Sequence, residues 1–174
     1  SDSSNAESPY QTASEREISD SINEAFQYHT GRIIVASVAS NIMRVQQVLN
    51  AAAASHRRVV LTGRDVEKIV RTALKMNYLK LPDPDILATT KEMKDLDPEA
   101  TVVLETGRMG EPLKSLQRMA SSRHRSVSIT DGDLVFIVST PSHAMETTLA
   151  RTKDLIYRAG GEVKTVFDKA HVSG

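Results

Sequence analysis

The stretch from Thr101 to Pro112 constrains the fold of this chain more than any other. Residues Thr101 to Glu105 are mostly β-branched or apolar, which is typical of a buried strand. Gly107 and Gly110 follow, and they allow the backbone to bend and to approach a ligand closely. Pro112 suits the first turn of a helix. A strand, a glycine loop and a helix start in this order predict a helix N-terminus that presents backbone N–H groups to an anion.

The same alternation of strand and helix patterns continues along the rest of the chain. Strands are predicted at residues 32–38, 58–62, 86–88, 101–105, 126–129, 134–139 and 162–167. Amphipathic helical stretches separate most of them, and the spacing of Ser14 and Glu17 predicts a capping box at the first helix. Asp65 is predicted to cap a later helix. This order predicts one α/β domain with a mostly parallel sheet and helices on both faces, in a Rossmann-like layering.

Three polar loops are predicted to form the ligand-binding edge, because ligands of such sheets bind at the C-terminal ends of the strands. The loops comprise residues 37–41, 106–112 and 139–143, and each precedes a helix. Ser40 and Asn41 could donate hydrogen bonds to phosphate oxygens or could cap the helix that begins at Ile42, and the residues alone leave both open. His143 could act as a base, although a place in the first helical turn is the simpler interpretation.

A basic cluster follows the glycine loop. Its members are Arg108, Lys114, Arg118, Arg123 and Arg125. Glu111 is the only acidic residue between positions 108 and 125. A phosphate chain is the ligand that this surface favours.

The composition excludes several function classes. The net charge is zero, so a nucleic-acid site must be a local patch and not a property of the whole surface. The chain has no cysteine, which excludes disulfides and thiolate chemistry and agrees with a cytoplasmic location. The five histidines lack the one-turn spacing of a helical zinc site, so no metal centre is predicted within the chain. No segment is long and apolar enough to span a membrane.

An ordered series of motifs resembles ribonuclease J. Residues 1–7 (SDSSNAE) resemble the family's SDSTNAE segment, and residues 32–47 resemble its strand and helix around ASNIHRIQQ. Residues 106–112 (TGRMGEP) resemble TGSQGEP, and residues 171–174 (HVSG) resemble most of HVSGH. The resemblance covers essentially the whole chain, and several motifs in the family's order are more specific than any one of them.

The resemblance implies a β-CASP domain, which in this family is inserted into a metallo-β-lactamase domain. Residues 1–13 would lead in from that domain, residues 14–170 would form the β-CASP domain, and residues 171–174 would begin the return. The chain starts without Met and stops inside a motif, so we expect it to be part of a longer protein. The family cleaves RNA as an endonuclease and as a 5′-to-3′ exonuclease. The family uses two zinc ions for this cleavage, and the ligands of these ions would lie outside this chain.

The resemblance also implies roles for individual residues. Asp2 matches an acidic residue that orients a catalytic histidine, here expected beyond Gly174. His171 and Ser173 match phosphate ligands beside the scissile bond. The surface that contacts the RNA backbone is matched by Ser40, Asn41, Gly107, Arg108, Gly110 and Glu111. The expected partner is single-stranded RNA with a 5′-monophosphate, and the longer protein is expected to form a homodimer or larger assembly, or to pair with a paralogue. No membrane partner is expected.

Three departures from the family leave an alternative open. Arg108 and Met109 replace a Ser-Gln pair, Met43 replaces a histidine, and residues 141–146 differ from the family's PIPGNE segment. Arg108 could supply a different phosphate contact. The longer protein could therefore be a weakly active or inactive paralogue that holds RNA and promotes assembly. A small-nucleotide-binding α/β domain is a third possibility.

Overall fold

The computed structural model describes residues 12–38, 41–108, 110–140 and 142–168. These residues form a seven-stranded sheet in which every ladder is parallel, in the order β1-β7-β6-β2-β5-β3-β4. The strands are β1 (Thr12–Ala13), β2 (Ile33–Val38), β3 (Arg58–Thr62), β4 (Leu87–Ala88), β5 (Thr101–Gly107), β6 (Leu134–Ser139) and β7 (Glu162–Asp168). The predicted α/β class and parallel sheet are confirmed.

Five α-helices among the described residues connect these strands. They are α1 (Glu15–Tyr28), α2 (Ile42–Ala54), α3 (Val66–Lys75), α4 (Glu111–Ala120) and α5 (Glu146–Arg158). Short 3₁₀ helices lie at Glu92–Asp95, Pro98–Ala100 and His143–Met145. Within the described ranges, no helix has the length and apolar character needed to cross a bilayer.

The two faces of the sheet carry separate apolar cores. Ile33 and Val35 of β2 pack with α1, α2 and α3 on one face. Ile34 and Ala36, which alternate with them, pack with α4 and α5 on the other face. Successive side chains of a strand point to opposite faces, so a fully buried parallel strand needs apolar residues at nearly every position. The predicted cover of helices on both faces is therefore confirmed.

The predicted strand at residues 126–129 is wrong. Val127 and Ile129 are buried, but the segment pairs with no strand among the described residues. Its backbone donors are used locally: Val127 donates to Nδ1 of His124 at 3.1 Å, and Ile129 donates to the Met119 carbonyl at 2.9 Å. These local acceptors replace the ladder that the β-branched residues suggested.

One of the two predicted helix caps is also corrected. The Ser14 hydroxyl accepts from the Glu17 backbone N–H at 3.2 Å, as the capping-box spacing predicts. Asp65 does precede α3, but its side chain makes no capping hydrogen bond. Its φ of 61° is left-handed, whereas the backbone of a capping residue is typically extended at that position.

Candidate phosphate-binding site

The three predicted loops follow adjacent strands. Strand β2 lies between β5 and β6, and Val38 at its end is paired with Gly107 at the end of β5. A Cβ atom on Gly110 would lie 3.1 Å from the Met145 side chain, so the glycine loop packs closely against the segment that follows β6. The predicted clustering of these loops at one edge of the sheet is therefore confirmed for the described residues.

Asn41 forms the helix cap that the sequence left as one of two alternatives. Its Oδ1 accepts from the Arg44 backbone N–H at 3.1 Å and thereby caps α2. The cap uses the carbonyl oxygen of the amide, so the donor –NH₂ group is the part that suits a phosphate oxygen. Capping and phosphate binding are thus compatible at this residue. Ser40, Asp2, His171 and Ser173 lie outside the described residues, and their roles stay predictions.

Strand β5 and helix α4 flank the glycine loop in the predicted order, but a carboxylate of α4 already accepts a hydrogen bond from the loop. Glu111 begins α4, and its Oε2 accepts from the Arg108 backbone N–H at 3.3 Å. A Cβ atom on Gly107 would lie 3.1 Å from that same oxygen, so the loop backbone and the Glu111 side chain are in close contact. Pro112 in the first turn supplies no N–H. The backbone therefore offers few donors to a phosphate here, and cationic side chains must contribute most of the attraction.

Those cations come from two separate parts of the chain. A cleft of about 930 Å³ opens beside β3 and β5. We call it the α3–α4 cleft; its basic lining residues are Arg64, Lys68, Arg71, Lys114, Arg118 and Arg125. The last three belong to the predicted basic cluster, whereas Arg108 and Arg123 do not line the cleft. Sequence reasoning missed the first three, although the spacing of three residues between Lys68 and Arg71 places these two on one side of α3.

The α3–α4 cleft also has a buried polar floor. Glu105 is 3% exposed, and one of its carboxylate oxygens accepts from the Thr62 hydroxyl, which lies opposite it on β3. Ser115 of α4 is 2% exposed, and its hydroxyl has no hydrogen-bond partner. A buried hydroxyl without a partner is costly and uncommon. The floor therefore holds an acceptor and a hydroxyl that the fold itself does not fully use.

His124 contributes a neutral ring to the same cleft. Its Nδ1 accepts from the backbone N–H groups of Ser126 and Val127, both at 3.1 Å. Burial lowers the pKa of His124, the Glu105 carboxylate opposes that shift, and Arg118 adds to it. A neutral ring whose Nδ1 is an acceptor carries its proton on Nε2. His124 is thus a neutral donor beside the cations of the cleft.

The described residues do not suit a zinc centre. They include no group of three or more His, Cys, Asp or Glu side chains that could hold a metal ion. His143 is exposed, and its Nδ1 lies 3.6 Å from a carboxylate oxygen of Glu146. It begins the short 3₁₀ helix that leads into α5, which agrees with the simpler interpretation of a residue in a first helical turn.

Comparison with known proteins identifies a family. The family described as "Ribonuclease J, beta-CASP domain" matches residues 30–155. Ribonuclease J 2 of Streptococcus pyogenes is 51% identical over 174 residues, which are all of this chain and 32% of that protein. Ribonuclease J2 of Bacillus subtilis is 37% identical over 174 residues, covering 31% of its length. Ribonuclease J 2 of Staphylococcus aureus is 36% identical over 173 residues, again 31% of its length. The chain thus spans about one third of the length of the relatives it matches.

Proposed function

We propose a function from one premise: the chain belongs to the β-CASP domain family of ribonuclease J. In our proposal it is the domain of a larger ribonuclease that binds single-stranded RNA through the sugar-phosphate backbone. The resemblance of its motifs to the family's own supports this proposal along almost the whole chain. The relatives are named ribonucleases, and the larger protein would accordingly cleave RNA.

The observation that carries the proposal is the juxtaposition of the loops with the cationic cleft. The Asn41 cap and the Gly107–Glu111 loop follow adjacent strands, and Glu111 also lines the α3–α4 cleft. A strand of RNA that crosses this edge would meet amide donors first and cations next. Contacts of this kind position the backbone and carry little sequence information. Aromatic residues are only 4% of the chain, which argues against a base-stacking surface.

Cleavage itself would require groups outside the described residues. The family resemblance implies that the ligands of two zinc ions lie outside this chain, and the described residues include no group of side chains that could hold a metal ion. We therefore expect the 174-residue chain alone to bind RNA without cleaving it. His171 and Ser173 are the residues through which we expect it to reach the reacting phosphate, and Asp2 would orient the catalytic histidine expected beyond Gly174.

A second candidate function is favoured by the glycine loop. Arg108 occupies a position where the family carries Ser, and its backbone N–H is already bonded to Glu111. Weaker recognition of a 5′-monophosphate at this loop would suit a paralogue that has little or no nuclease activity. Such a protein would hold RNA within an assembly, either with its own copies or with an active paralogue.

The experiment that separates these candidates is an RNA-degradation assay on the full-length protein. The substrate is single-stranded RNA with a 5′-monophosphate, incubated with zinc or manganese, and a chelator provides the control. Chelator-sensitive release of nucleotides supports the ribonuclease. RNA binding without turnover supports the paralogue that holds RNA.

A parallel binding titration tests the electrostatic basis of both candidates. RNA affinity should fall steeply as salt rises, because bound phosphates release their counterions. An affinity for RNA that does not change between low and physiological salt would contradict the proposed backbone contacts. Saturable binding of a mononucleotide with no preference for longer RNA would instead favour a small-nucleotide-binding domain.

A further inference from the structure

We propose that the α3–α4 cleft is a second phosphate site, which continues the path of the RNA strand from the glycine loop towards α3. This inference rests on the proposed function, because it assumes that RNA binds to the domain. It assigns a role to Lys68, Arg71 and Arg125, for which the family resemblance gave none.

The first argument is that the cations of the cleft form no ion pairs within the described part of the chain. Six of the nineteen lining residues are Lys or Arg and four are Asp or Glu, so the lining carries a net charge of +2, whereas the whole chain is neutral. None of the six forms an ion pair with a described acidic residue. By contrast, Arg32 pairs with Asp133 at 2.6 Å and Arg44 with Asp168 at 3.0 Å. The six cleft cations are therefore available to a ligand.

The second argument is the buried polar floor. The Ser115 hydroxyl is buried without a hydrogen-bond partner, and Ser115 lines the cleft. Rotation about one side-chain bond is enough to turn such a hydroxyl towards a ligand. His124 adds a second donor, because its Nδ1 is occupied by two backbone N–H groups and its proton lies on Nε2. These two groups mark the cleft as a built site and not merely a charged surface.

The mixed charge of the lining identifies the class of ligand. Glu105 lies at the floor, and Asp65, Glu67 and Glu111 also line the cleft. A ligand that is anionic throughout, such as inorganic polyphosphate, would be repelled by these carboxylates. A nucleotide unit has anionic phosphates that the exposed cations can bind. It also has ribose hydroxyl and base N–H groups, which can donate hydrogen bonds to a buried carboxylate. The volume of about 930 Å³ is at the upper end of the range for small-ligand pockets. The cleft therefore fits nucleotide units of a strand better than a simple anion.

The test compares two double variants of the full-length protein that remove the same charges. Lys68→Gln with Arg125→Gln removes one Lys and one Arg from the cleft. Lys75→Gln with Arg151→Gln removes one Lys and one Arg from exposed positions on α3 and α5 that do not line the cleft. All four side chains are exposed, so both variants should fold, and thermal unfolding checks this.

Single-stranded RNA affinity is measured against salt for each variant. Each lost phosphate contact lowers the salt slope by about 0.7 for a single strand, so two lost contacts lower it by about 1.4. At about 0.1 M salt this corresponds to an affinity loss on the order of 25-fold for the cleft variant. The control variant should change neither quantity. A separate Ser115→Ala variant should weaken RNA binding but leave the salt slope unchanged, because the hydroxyl is uncharged.

The possible failures are distinguishable. If the parent protein binds no RNA, or binds it independently of salt, the proposed function itself fails. If the parent binds RNA with the expected salt dependence but both double variants match it, the RNA passes elsewhere and the second site is wrong. Equal losses in both variants would show an effect of overall charge and would also overturn it. If a mononucleotide binds the cleft as tightly as the RNA does, the cleft is a small-nucleotide site and not part of the path of the strand.

Discussion

Replacing Arg44 by Met should destabilise this domain more than any substitution of an exposed arginine. Arg44 is fully buried at the start of α2, and its guanidinium joins three elements. It donates to both carboxylate oxygens of Glu15 on α1, at 2.8 and 3.2 Å, and to Oδ2 of Asp168 at the end of β7, at 3.0 Å. Gln47 accepts a further hydrogen bond at 2.5 Å. The same residue thus connects the Asn41 cap with the C-terminal end of the last strand.

The magnitude follows from the burial of the two carboxylates. The side chain of Glu15 is 39% exposed and can be rehydrated when Arg44 is removed, so its contribution is small. The side chain of Asp168 is 8% exposed and would lose a buried counter-charge. Removing one partner of a buried ion pair typically costs about 3–5 kcal/mol. Such a loss is a large share of the roughly 5–15 kcal/mol that stabilises most domains.

Urea unfolding of the chain, followed by circular dichroism, measures the effect on the free energy of unfolding. Arg158→Met is the control, since Arg158 is 75% exposed and pairs with Asp154 one turn away; it should cost at most about 0.5 kcal/mol. Adding Asp168→Asn to Arg44→Met should recover about 1–2 kcal/mol, because an amide is cheaper to leave buried than a charge. The reasoning is refuted if Arg44→Met lies within about 1 kcal/mol of the parent, or if the two substitutions are simply additive.

Two further predictions concern the cleft and the turn beside it. The pKa of His124 is lowered in the folded chain, so the unfolded chain binds a proton more readily. The stability that the neutral ring contributes should therefore be fully present above the unfolded pKa of about 6.5 and should be lost as the pH falls below it. His124→Asn should flatten this dependence between pH 8 and pH 5 in urea unfolding, and an unchanged slope would exclude His124 as its source. Gly63→Ala should cost well over 1 kcal/mol, because Gly63 has a φ of 120° and its new Cβ would lie 2.0 Å from the Thr106 carbonyl oxygen. Gly132→Ala is the matched control, since Gly132 also has a positive φ but nothing lies within 4 Å; equal losses in the two variants would contradict the close contact.

Local patterns predicted the central part of the fold well. The strand, glycine loop and helix of residues 101–112 were predictable because each feature depends on its own residues: β-branched side chains, Gly107, and Pro112 in the first turn. The segment at residues 126–129 has the same apolar and β-branched character but forms no strand. Its N–H groups are bonded to His124 and to a carbonyl of α4 instead. Strand propensity describes a side chain that fits a buried surface, and it does not say which acceptor its backbone will find.

The candidate site was only half predictable for a different physical reason. Lys114, Arg118 and Arg125 follow the glycine loop in the sequence and could be recognised together. Arg64 and Lys68 join them only because β3 lies next to β5, so the loop and helix after β3 reach the same cleft. An alternating pattern of strands and helices predicts a parallel sheet but leaves the order of its strands open. A basic cluster in the sequence of such a protein therefore marks one wall of a site, and strand order decides which distant residues form the other. In this chain the second wall carries as many cations as the first, which is why the path proposed for RNA extends towards β3 and beyond the glycine loop.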